Sequence, residues 1–234
     1  PVAYPWGYPL ILTPMVALNG VHALTLKLPG LLFFAGFLIC LYWLMKDRLT
    51  RTESLLLVSL FAFNPTFIKF VDQILSDIPF LFFITLGLLW IIKFKIGTWS
   101  HIALGTIIFF AFFIRTTGII LFASFLAYQA IRFYREQEFR RTILINSVLV
   151  AVSISLLWLI TSLIFPNGQG SYFQQLKELT PVIFKESITY YFYLFATFFG
   201  NASAWTYIYY AMVVFFLIGA WARRNADQPL IIFF

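Results

Sequence analysis

The sequence predicts an all-α fold, a polytopic bundle of about seven to eight transmembrane helices, and three observations carry that expectation. Hydrophobic residues make up 62% of the 234 and charged residues 11%, with a mean hydropathy of +0.90. A soluble chain of this size could not hide so much apolar surface in its own core. The apolar residues also come in runs that approach the about 20 positions needed to cross a hydrocarbon layer of about 30 Å. Finally, the charges sit in short clusters between those runs, the pattern of membrane topology.

The runs are Leu24–Met45, Glu53–Phe70, Ile78–Ile92, Ile102–Ile114, Gly118–Ile131, Ile143–Phe165 and Trp205–Ala222. They predict seven spans, or eight if Leu230–Phe234 opens another. Tyr8–Gly20 is too short and too rich in proline to count as a crossing. Residues 1–234 therefore read as a single transmembrane domain. Within it, residues 166–204 form an outer-face loop, Gly-rich at its start and aromatic from Tyr190 to Phe199.

Lys and Arg should collect on alternate loops, on the cytoplasmic side. Lys46, Arg48 and Arg51 follow the first span, Lys93 and Lys95 the third, Arg132, Arg135, Arg140 and Arg141 the fifth, and Arg223 and Arg224 the seventh. The other five cations, Lys27, Lys69, Arg115, Lys177 and Lys185, fall near the opposite face with Asp72, Asp77, Glu178 and Glu186. The orientation rule does not ask for them there.

The formal charge of +7 is scattered rather than gathered into the basic patch a nucleic-acid binder needs, so the lipid bilayer is the expected partner and nucleic acid is not. Cys40 is the single cysteine and can form no disulfide within the chain. His22 and His101 have no cysteine nearby, so no metal-ligand spacing is present. The chain opens on Pro1 and stops at Phe234 inside an apolar stretch; it reads as a piece of something longer, with no signal peptide in view.

Ionisable groups next to hydrocarbon are costly and usually functional. Lys69 and Asp72 stand three apart, and if Pro65 opens a helical turn they share a face and can pair; a solvated surface pair is the competing reading. Asp77 precedes Ile78-Pro79, which fits a helix cap, alone or combined with a site role. Arg115 sits in the short break Phe113-Ile-Arg-Thr-Thr-Gly118. It either snorkels to head groups or holds a phosphate with its guanidinium fork.

Four motifs then occur in a familiar order: Tyr4-Pro-Trp-Gly-Tyr-Pro-Leu-Ile-Leu, Asn64-Pro, Leu75-Ser-Asp-Ile-Pro-Phe and Ile114-Arg-Thr-Thr-Gly. Over roughly Pro1–Tyr134 the chain resembles the GT-C class of membrane glycosyltransferases, nearest the branch of protein mannosyltransferases and aminoarabinose transferases. The resemblance implies transfer of a sugar from a polyprenyl-phosphate-linked donor to an acceptor glycan, lipid or protein on the periplasmic or lumenal face. It implies a bacterial inner membrane, or failing that the endoplasmic reticulum. Asp77 would line the sugar cavity, Arg115 and Lys69 would face the phosphate, and Asp72 and Tyr8 would be further binding residues. The family's principal catalytic acid would lie ahead of Pro1, so residues 1–234 alone are expected to be inactive. The aminoarabinose branch carries a Glu-Lys pair just before its entry proline, where this chain reads Trp6-Gly7-Tyr8 before Pro9. No cofactor is fixed by the resemblance, and a divalent metal stays open.

The competing classes are a transporter or lipid flippase and a non-catalytic assembly subunit. Transporters often show internal repeats and helices broken at mid-membrane. The sequence displays neither, and its polar groups sit at helix ends on one face, which favours chemistry at an interface.

Overall fold

The computed structural model describes residues 5–93, 97–165 and 203–223, with isolated positions at 182, 185, 186, 189, 190 and 232. The described residues form helices and no strand, so the fold is all-α. They fall into two compact units, one built from the helices between Gly7 and Ile164 and the other containing the helix Ser203–Arg223. The expected outer-face loop 166–204 lies almost wholly outside the described residues.

In the larger unit, α1 (Gly7–Asn19) is followed by α2 (Ala23–Met45), α3 (Arg51–Ala62), α4 (Pro65–Asp72), α5 (Asp77–Lys93) and α6 (Thr98–Ile114). A 3-10 turn at Thr116–Gly118 leads into α7 (Ile119–Arg135), and a second at Gln137–Phe139 leads into α8 (Arg140–Ile164). Local chemistry sets several of these limits. Thr50 and Glu53 close a capping box on α3, satisfying two otherwise unpaired N–H groups. Asn64 accepts from the N–H groups of Thr66 at 2.8 Å and Phe67 at 3.4 Å, and Pro65 supplies the preset φ of a first helical position.

Among the described residues three helices, Ala23–Met45, Thr116–Arg135 and Gln137–Ile164 with their leading turns, are long and apolar enough to cross a bilayer; α3 and α4 taken together make a fourth, bent by 53°. That is fewer than the seven or eight spans the sequence predicts. The reason is where helices begin and end inside the apolar runs. α5 and α6 have 17 residues each, about 25 Å at 1.5 Å per residue, the lower limit of a crossing. The apolar part of Ser203–Arg223, Tyr207–Ala222, is also short. The bend between α3 and α4 corrects the expectation that no helix is broken: Asn64 turns the chain by capping a new helix inside what reads as one run.

α2 and α5 run side by side in the same direction. Asp72, at the end of α4, meets Lys27 at the start of α2 at 2.6 Å, while Asp47, just past α2, meets Lys93 at the end of α5. Between them lies a core of Phe34, Phe37, Leu41 and Ile78, with Phe61 and Phe67 packed against it. Phe37 and Phe67 stack at 6.1 Å and Phe61 meets Phe67 edge-on at 5.3 Å, geometries that add to the burial of the rings.

The apolar stretches keep most of their surface outside this core. Only 39% of the α2 stretch and 22% of the α8 stretch is buried, so the rest of each needs an apolar solvent, as an integral membrane protein requires. α1 behaves differently. Its 13 residues span about 20 Å, it starts against the last turn of α6, and it ends four residues before α2 begins. Both of its ends therefore stand at the same end of the bundle.

Candidate functional site

The Arg115 end of the bundle is built by close backbone approach. A Cβ on Gly7 would come within 2.4 Å of the Phe113 carbonyl oxygen, and one on Gly118 within 2.4 Å of backbone atoms of Ala111 and Phe112. The first glycine lets the start of α1 rest on the end of α6; the second lets the turn after Arg115 fold back on the same helix. Trp6 stacks on Phe165 at 5.4 Å, and Phe165 meets Phe113 at 5.9 Å, which brings the end of α8 to the same corner.

Into this corner come three of the residues singled out in the sequence. α5 opens with the carbonyl of Ser76 accepting from the Phe80 N–H at 3.0 Å, which makes Asp77 a first-turn residue rather than the cap. Its carboxylate is thus free to bond the Arg115 guanidinium, and does so. A first-turn acid is also favoured by the helix dipole. Arg115 leans over the Phe80 ring at 5.6 Å from its centroid, a cation–π contact. Both members of the pair are more than a third exposed, 38% and 39%, so water screens them and the pair itself contributes about 0.2–1 kcal/mol at most.

Tyr8 completes the group. Burial pushes its phenol up to about 12, and the nearby Asp77 charge adds to the shift. At neutral pH Tyr8 is therefore a hydrogen-bond donor and not a phenolate. The corner thus offers one fixed cation with spare N–H donors, one carboxylate that orients it, and one neutral hydroxyl. That set can hold a phosphate-bearing ligand and present a carboxylate beside it.

Lys69 and Asp72 are placed elsewhere. Asp72 pairs with Lys27, not with Lys69, because the last turn of α4 packs toward the start of α2; Gly30 there lies 3.6 Å, measured from an added Cβ, from the Val71 carbonyl oxygen. Lys69 is exposed on α4, and no ion pair joins it to Asp77 among the described residues. Lys27, outside the motifs, is the residue that sequence reasoning missed here; its only signal was being a cation on the less basic face. Among the described residues no three His, Cys, Asp or Glu side chains gather as metal ligands do.

The chain matches no protein-family model, and comparison with curated proteins and with solved structures finds no significant match.

Proposed function

We propose that the protein is a multi-span, GT-C-like membrane glycosyltransferase, and that the Arg115 corner receives the phosphate of a polyprenyl-phosphate-linked sugar donor at the outer face. The observation that supports this reading is the convergence of Tyr8, Asp77 and Arg115, from three motifs far apart in the chain, onto one end of the bundle. Arg115 would stabilise the departing phosphate, Asp77 would hold the guanidinium and border the sugar, and Tyr8 would donate a hydrogen bond. The proton-accepting acid belongs, on this reading, to sequence ahead of Pro1. α5 and α6 would cross as minimum-length spans, in a bacterial inner membrane, with a glycan, lipid or protein as acceptor. A divalent metal requirement is left to experiment.

The test is turnover of a polyprenyl-phosphate sugar in membranes carrying the protein with its upstream sequence, against Asp77→Asn and Arg115→Ala at matched expression. Loss of about 100-fold or more, the scale of a removed electrostatic stabiliser, is expected for both. Unchanged turnover in both variants would remove the site assignment.

The bend between α3 and α4 favours a second reading, lipid transport, because broken helices frequent transporter sites. Movement of a labelled polyprenyl-phosphate sugar across vesicles, without transfer to any acceptor, would favour it over the transferase.

A further inference from the structure

At the other end of the bundle, α2 and α5 leave a cavity of about 540 Å³ between them, within the range of sites that hold small ligands. Its floor is Cys40 and Leu89, both buried. Ile39 and Trp43 form its outer wall and are 60% and 50% exposed, so the cavity opens sideways out of the bundle. Its rim is charged: the Lys93 ammonium rests on Asp47, and the Lys46 ammonium stands 3.8 Å from the centroid of the Trp43 ring.

The depth of these residues matters. α2 ends at Met45, so Ile39 to Trp43 occupy the last turns of a helix apolar enough to cross the bilayer, and Lys46 lies just beyond it. From Ile39 to Lys46 is seven residues, about 10 Å along a helix. Over that distance the cavity passes from hydrocarbon contacts to an aromatic side chain and then to ammonium groups. A phospholipid makes the same passage from acyl chain through glycerol to phosphate. Basic pockets between helices at the cytoplasmic surface are suited to anionic head groups, and the alternation of Lys and Arg marks this end as cytoplasmic.

We propose that this cavity binds the phosphate head group of an anionic membrane phospholipid, between Lys46 and Lys93, with an acyl chain lying against Ile39 and Leu89. Asp47 is 63% exposed, so it can return to water when phosphate takes its place on Lys93. The site lies at the opposite end of α5 from Asp77 and does not depend on the transferase reading.

A Cys40→Ser/Asp47→Cys variant carries its single thiol on the rim of the cavity, at a position 63% exposed, where it reports on occupancy. Reaction of that thiol with a maleimide is measured for the intact protein in phosphatidylcholine nanodiscs, with and without phosphatidylglycerol, and with inorganic phosphate added to the first. Phosphatidylglycerol is expected to slow labelling and inorganic phosphate is not. Equal protection by inorganic phosphate would make this a soluble-anion site and overturn the lipid assignment; no protection by either would overturn the site.

A second measurement uses native mass spectrometry of lipids retained by the purified protein. Lys46→Gln/Lys93→Gln is expected to lower the preference for phosphatidylglycerol over phosphatidylcholine about tenfold or more, the scale of two basic residues at an anionic surface. The charge-matched pair Arg51→Gln/Arg141→Gln is expected to keep it. Equal loss in both double variants would mean diffuse surface charge and no site.

Discussion

Asp77 and Arg115 already satisfy each other, and that has a measurable consequence at the scale of single residues. A phosphate arriving at Arg115 competes with a carboxylate, so its apparent affinity is reduced by the fraction of time the pair is open. On the transferase reading, Asp77→Asn should bind the donor more tightly while turning it over more slowly; equilibrium binding and initial rates on the same preparation check the two halves separately. The glycines at this corner give a prediction free of any functional assumption. Gly7→Ala drives a Cβ into the Phe113 carbonyl, which is backbone and cannot rotate away, and should cost about 1–3 kcal/mol as overpacking does. Gly219→Ala, with nothing within 4 Å of the added carbon, should be neutral or stabilising by up to about 1 kcal/mol from helix propensity. Thermal unfolding in one detergent compares them. Asp77 and Arg115 were legible in the sequence because an ionised group beside hydrocarbon advertises itself by type alone. The partner of Asp72 was not: Lys27 is 45 residues upstream, and only the packing of α4 on α2 joins them.

At the scale of elements, caps decide where apolar runs become helices. Asn64 is the clearest instance, since it both starts α4 and breaks the run Glu53–Phe70. Asn64→Ala should cost about 1 kcal/mol, the usual worth of such a cap, read from the same thermal unfolding. Its apolar residues could not reveal the break, because Leu, Phe and Ile are equally at home in one long helix or two short ones; the sign of it was Asn64-Pro65, a cap followed by a first-turn proline. The end of α7 yields a pH dependence. Arg132 bonds Glu136 through Nε at 3.0 Å and Nη2 at 2.6 Å, and these bonds hold the Glu136 carboxyl below its ordinary value of 4.5. The sign follows: a carboxyl lowered by folding stabilises the fold above its unfolded value, and that contribution is lost as pH falls through the folded one. Glu136→Gln should therefore show a smaller drop in melting temperature between neutral pH and the range below about 4.5 than the unaltered chain.

At the scale of the molecule, the helical class was legible from hydropathy, while the number of crossings was not. Hydropathy counts apolar residues, but a crossing needs uninterrupted helix, and Asp77, Lys93 and Arg115 close α5 and α6 at 17 residues each. The order of the larger unit is nonetheless well defined, with ion pairs at both ends of α2 and α5. α1, which leaves and returns to one end of the bundle, adds nothing to the parity of membrane crossings. Gly20 follows it with a φ of 68° and open space around it, a position suited to an inserted peptide tag. A tag placed there and one placed beside Thr116 should be cut by a protease added to the same side of sealed membranes, and one placed at Arg48 by a protease on the other. Helix α1 thus acts as a spacer folded against one end of the bundle, shifting where the chain enters α2 without changing the side from which it enters.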